Sequence, residues 1–143
     1  MIGWWPPYLG AGVRVAHVDA DFRYVRVEMR QRWFNRNYLG THFGGSLYSM
    51  VDPFFVLMAT HALGPTYIVW DKAASIDFVA PGRGTVSAEF RLTEADVEAM
   101  RAATANGDKY LPTFDVEIVD ASGATVARVK KQLYVRRKRV DAA

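Results

Sequence analysis

Residues 37–63 read N-Y-L-G-T-H-F-G-G-S-L-Y-S-M-V-D-P-F-F-V-L-M-A-T-H-A-L. A polar, glycine-bearing loop leads into a segment that is apolar on nearly all sides. From Ser46 onward, Leu47, Met50, Val51, Phe54, Phe55, Leu57 and Met58 leave no polar face. A helix that is apolar all round has to be buried, so the rest of the chain must wrap it. Gly44-Gly45 permits a tight turn into the helix, and Gly64-Pro65 ends it. Inside the segment stands Asp52, followed by Pro53. Two readings are open. Asp-Pro is the signature of an N-cap followed by proline at the first helical position, with a helix starting at Pro53. Alternatively, one helix runs through from Gly45 and bends at Asp52. Pro53 then removes a backbone bond at a cost of about 3 kcal/mol and biases Asp52 away from helical angles. Such a bend lets a carboxylate emerge from an apolar segment.

The remaining sequence supplies the wrapping. Residues 13–17 and 24–32 predict a hairpin, with Val25, Val27 and Met29 alternating against Tyr24, Arg26, Glu28 and Arg30. Residues 66–80, 85–92, 111–120 and 124–135 predict further strands. In the first of these, Ile68, Trp70, Ala74, Ile76 and Phe78 are expected on one apolar face together with Lys72. Thr93-Glu94-Ala95-Asp96 opens a short helix, with Thr93 as its cap. Residues 4–8, aromatic and proline-rich, predict an arm packed on the surface, or else a lid or subunit contact. Alternating strands joined by short turns suit an antiparallel sheet. The class is α+β, with one domain over residues 1–143.

This pattern resembles the hotdog fold, a curved antiparallel sheet wrapped around one central helix. More specifically it resembles small acyl-CoA thioesterases of that superfamily, of the phenylacetate-pathway type. It is most similar to the branch labelled tetrameric acyl-CoA thioesterase. The residues that carry the likeness are Asn37, Gly40-Thr41-His42-Phe43-Gly44-Gly45 and Asp52, then Trp70-Asp71-Lys72, Phe78-Val79-Ala80-Pro81-Gly82 and Tyr134-Val135-Arg136-Arg137-Lys138. The thioesterases have an asparagine, then His-Gly-Gly, then a helix acid at that spacing. This chain departs at one position: Phe43 stands where the histidine usually is, and His42 comes one residue earlier. The resemblance implies hydrolysis of an acyl-CoA thioester at a dimer interface, with Asp52 as general base or nucleophile. It also implies that the acid of one subunit faces the helix N-terminus of the next, so a homodimer or homotetramer is expected.

The chemistry suits those residue types. Attack by water puts negative charge on the thioester oxygen, and unpaired N–H groups at a helix start can stabilise it. Glycines at Gly44 and Gly45 let the substrate approach that backbone, or simply make the turn. Asn37 either orients water or bonds its own turn. Phe43, His42, Ser46, Lys72 and Arg83 are the candidate substrate contacts. Lys72, on an apolar face, needs a carboxylate partner, for which Asp52 or Asp71 is expected, or a snorkelling path to water. Arg36, Arg83, Lys130, Lys131 and residues 136–139 form either a solvated positive surface or contacts to the phosphates of coenzyme A. Two alternatives use the same site: a non-catalytic acyl-CoA-binding protein, favoured by Phe43, and an acyl-thioester dehydratase or hydratase, which needs His42 close to Asp52.

Composition limits the remaining classes. With no cysteine there is no disulfide framework, thiolate metal site or cysteine nucleophile. The three histidines lack metal-ligand spacing as a set, so no metal and no cofactor are expected beyond coenzyme A as part of the substrate. A net charge of +3 is too weak to argue for nucleic acid. The opening residues lack a signal peptide's basic and apolar regions, and Asp52 and His61 interrupt the best membrane-span candidate. A cytoplasmic protein acting on an acyl-CoA or acyl-carrier thioester, without a membrane partner, is the resulting expectation.

Overall fold

The structure, a computed structural model, describes residues 4–139. The first three residues and the last four, which the single-domain reading includes, lie outside the described residues. The chain forms α1 (Pro6–Ala11), β1 (Val13–Val18), β2 (Tyr24–Arg30), α2 (Gly44–Ser49), α3 (Phe54–Leu63), β3 (Tyr67–Phe78), β4 (Thr85–Arg91), α4 (Glu94–Ala103), β5 (Lys109–Tyr110), β6 (Thr113–Val119) and β7 (Thr125–Arg137). The strands make one antiparallel sheet in the order β1-β2-β4-β6-β7-β3, with the short β5 also paired to β7. The sheet curves around the central α2–α3 segment, which is the hotdog arrangement and the expected α+β class.

Aromatic packing joins helix to sheet. Phe54 and Phe55 of α3 meet Phe90 of β4 at ring distances of 4.9 and 5.3 Å, and Phe55 stacks on Phe114 of β6 at 4.7 Å. Phe54 and Phe90 have no exposed surface. Burying side chains of this size contributes about 1.5–3 kcal/mol each. The expected cap of α4 is present: Thr93 and Asp96 form a reciprocal capping box.

Three local expectations are corrected. The N-terminal arm is a helix, α1, with proline in its first turn and Gly12 closing it at φ 76°, and it buries Tyr8 almost completely. The apolar segment is neither one bent helix nor a helix capped by Asp52. It is two helices, α2 and α3, separated by a turn at residues 50–53. Pro53 holds the N-cap position of α3, and no side chain caps it. Finally, β3 carries a bulge between Asp71 and Ala73 in its register with β7. The extra residue is Lys72, and the alternation of faces shifts there. Before the bulge Tyr67 and Val69 pack on the core while Trp70 is exposed; after it Ile76 packs inward.

Candidate active site

The turn between α2 and α3 leaves Asp52 beside Lys131, which the charge pattern groups either with a solvated positive surface or with contacts to the phosphates of coenzyme A. Lys131 lies on β7 between Val129 and Leu133, both buried, and has no exposed side-chain surface. Its Nζ donates to Asp52 Oδ1 at 3.0 Å and to Tyr48 Oη at 3.2 Å, and lies 5.2 Å from the centroid of the Tyr48 ring. Asp71 Oδ1 is 2.9 Å away, close enough for an ion pair but off the direction of an aligned hydrogen bond. Lys72 makes none of these contacts. It is exposed, so the expected Lys72–Asp pairing is replaced by Lys131 with both carboxylates.

One ammonium shared by two carboxylates explains the titration of the group. Burial alone lowers Lys131, but the Asp71 carboxylate, the Tyr48 hydroxyl and the Asp52 carboxylate around it outweigh that and leave it above the ordinary lysine range. Asp71 moves upward, because burial outweighs the pull of a lysine that it does not have to itself, and the Asp52 carboxylate pushes the same way. Tyr8, whose hydroxyl is buried without a partner among the described residues, is pushed well above the usual tyrosine range by burial and then by Asp52. Asp52 differs from Asp71 in exposure: 45% of its side chain reaches solvent.

A second feature is a cleft of about 460 Å³. Asn37, Thr41, His42 and Gly44 line its polar side, Leu47, Phe78, Val79, Ala80 and Pro81 its apolar side, and Arg83 also borders it. Gly44 opens α2, whose first-turn N–H groups receive no side-chain cap among the described residues. Gly44 and Gly45 are both approached by rings. A Cβ added at Gly44 would fall 3.0 Å from the Phe78 ring, and one at Gly45 would fall 2.6 Å from Phe43 Cε1. Phe43 is the N-cap residue and is itself exposed. Ser46 is buried in the first turn of α2 and is not a lining residue.

The polar residues of the loop are largely engaged. Asn37 Nδ2 donates to Thr41 Oγ1 at 2.9 Å, and its Oδ1 accepts from the N–H groups of Leu39 and Thr41. This is the turn-forming reading of Asn37, although the residue does line the cleft. Arg83 Nη1 donates to the Gly40 carbonyl at 3.2 Å. His42 is buried, with Nε2 2.7 Å from the Gly84 carbonyl oxygen and Nδ1 without a partner among the described residues. Burial lowers its titration below the ordinary imidazole range, and the Gly84 bond only partly offsets this. Among the described residues no hydrogen bond joins His42 to Asp52.

The lowered His42 sets a pH dependence. The unfolded chain takes up the proton at about pH 6.5, before the folded one does. The stability that the neutral ring contributes is complete above that value and is lost as the pH falls toward the folded value. The expected result is that His42→Leu reduces the acid-side loss of stability between about pH 7 and 5, followed by denaturant unfolding. An unchanged slope would remove His42 from that dependence.

The fold recurs among solved structures. A Pseudomonas aeruginosa protein of unknown function, PA5026, described as a probable thioesterase, matches with a TM-score of 0.80 at 19% identity, over 89% of this chain and 84% of its own. The Haemophilus influenzae thioesterase HI1161 gives 0.70 at 11% identity, over 99% of this chain and 90% of its own. PaaI, from the phenylacetic acid degradation operon of E. coli, gives 0.59 at 19% identity, over 91% and 82%. At such identities the likeness is one of fold. No curated protein matches the sequence. The family described as a domain of unknown function (DUF4442) matches residues 1–135, and the chain belongs to it.

Proposed function

We propose that the protein hydrolyses an acyl thioester, turning thioester and water into a carboxylic acid and a free thiol. The observation that carries this reading is Asp52, a half-exposed carboxylate standing in the break between two apolar helices. It caps neither helix, and it is held by a lysine without any exposure. In the proposed reaction Asp52 takes the proton of the attacking water, or attacks the carbonyl itself. The uncapped N–H groups at Gly44 and Gly45 receive the charge that develops on the carbonyl oxygen, and the thiolate departs. The apolar wall of Leu47, Phe78 and Val79 suits the acyl group. Lys131 touches no substrate in this scheme and serves to position Asp52. The related folds described as thioesterases support the same reaction class.

Asp52 is not among the residues lining the cleft of its own chain, which favours a site completed by a second copy. The copies would join through β3, a twelve-residue strand at the sheet edge with residues 72–75 exposed. Light scattering after size exclusion is expected to give a dimer or a tetramer. A monomer that still hydrolyses would rule out the two-chain site.

The direct test is thiol release from a panel of acyl-CoA and acyl-carrier thioesters. Phe43 favours a second reading, an acyl-thioester-binding protein that does not hydrolyse, because its ring lies over Gly45. That reading expects thermal stabilisation by acyl-CoA without thiol release. Under the hydrolase reading the exposed ring swings aside for substrate, so Phe43→Ala should raise kcat/KM several-fold with unchanged thermal stability. A fall in kcat/KM would show that the ring helps hold the substrate.

A further inference from the structure

On the outer side of the sheet, β3 and β7 bring a pair of aromatic rings together. Trp70 and Tyr134 are cross-strand partners, with rings 4.3 Å apart and 9° from parallel. The next pair along the same face is Ile68 with Arg136. Arg137, Lys138 and Arg139 follow, and these residues enclose a groove of about 450 Å³. That volume falls within the roughly 300–1,000 Å³ of small-molecule sites. The floor is apolar and the border is four consecutive cations.

The cations are not a loose tail. Arg136 donates through Nε to the Gly107 carbonyl at 2.9 Å, and the Lys138 N–H donates to the Thr66 carbonyl at 2.8 Å. Among the described residues no carboxylate forms an ion pair with any of the four. Trp70, 48% exposed, stands on the edge strand, and among the described residues Tyr134 is the one aromatic ring stacked on it. A second copy, which meets residues 72–75 of β3 in the proposed dimer, is a poor occupant of the groove itself, because a two-fold axis through it would set the four cations against their own image. The groove therefore suits an anion that also carries a flat ring.

We propose that this groove binds a phosphorylated nucleotide, its base against the Trp70–Tyr134 pair and its phosphates on Arg136, Arg137, Lys138 and Arg139. Guanidinium forks match phosphate oxygens in pairs, and an indole face accepts a base by stacking. The nucleotide has two possible sources. One is the adenosine-phosphate handle of a coenzyme A thioester, which rests on the proposed hydrolase reading. The other is a free nucleotide, which does not.

The test is a fluorescence titration of the full-length protein with adenosine 3′,5′-bisphosphate, with inorganic phosphate and adenosine as controls. Saturable quenching by the bisphosphate, weakened by salt, is expected. It should be absent in Trp70→Phe and should need about tenfold more ligand in the Arg137→Glu/Arg139→Glu variant. No saturable binding at low salt, equal binding of inorganic phosphate, or unchanged affinity in the charge-reversed variant would overturn the proposal. Kinetics with acyl-CoA and acyl-pantetheine separate the sources. A raised KM for acyl-CoA alone in the charge-reversed variant identifies the coenzyme handle, and equal KM values for both substrates in both proteins identify a free nucleotide. Because the titration is read without turnover, it stands even for a protein that hydrolyses nothing.

Discussion

Lys131→Met is expected to lower the unfolding free energy by about 3–5 kcal/mol, the usual result of removing one partner from a buried ion pair. Methionine fills a similar volume, so the loss is electrostatic rather than a cavity. What remains is Asp71, partly buried and without its counter-ion, beside the carboxylate of Asp52. For a chain of this size the shift in Tm is roughly 10–20 °C. A companion variant separates pairing from packing. Lys131→Met combined with Asp71→Leu should recover most of the loss, because an apolar pair can replace a buried ionic one at little cost. The sign with pH follows from Lys131 lying above its ordinary range. The stability it contributes is complete below the unfolded lysine value and is lost as the pH rises through the folded one. The wild-type protein should therefore lose more stability on the alkaline side than Lys131→Met does. A Lys131→Met protein that melts with the wild type would mean that the cluster holds nothing in place.

Much of the architecture was legible because the strands alternate cleanly. In β2 and β4, Val25, Val27, Met29, Val86, Ala88 and Phe90 are buried as the period of two requires. The same period placed Lys131 inward, between Val129 and Leu133 and in line with Val135. The charge pattern alone groups it with Lys130 and the other surface cations, but the period of two outweighs that grouping. On β3 the period misled. A bulge inserts one residue without any sequence mark, so a strict period of two places Lys72 on the apolar face and Asp71 off it. The Asp52-Pro53 pair announced an interruption, but sequence could not decide between a cap and a bend. The break lies beside a lysine 79 residues away whose ammonium bonds the carboxylate. Asn37 and His42 were legible as loop residues with polar partners. Their bonds to Thr41 and Gly84 depend on the path of the loop, which propensity does not specify.

Asp52→Asn is expected to reduce thioester turnover by about 10²–10⁴-fold, the range that a positioned general base contributes. The amide oxygen can still accept from Lys131, so the side chain keeps its place but cannot take up a proton. Because 45% of the Asp52 side chain is exposed, the loss of its charge should cost stability about 1 kcal/mol or less. Lys131 retains Asp71 and Tyr48 as partners. Turnover and stability should thus separate: a large fall in kcat, little change in Tm, and an unchanged oligomeric state. Lys131→Met supplies the contrast, since it should damage both stability and kcat by releasing the carboxylate from its position. A loss confined to KM would place Asp52 in substrate binding rather than proton transfer. Full turnover in Asp52→Asn would exclude Asp52 as general base or nucleophile, leaving the half-exposed carboxylate as a partner of Lys131 alone.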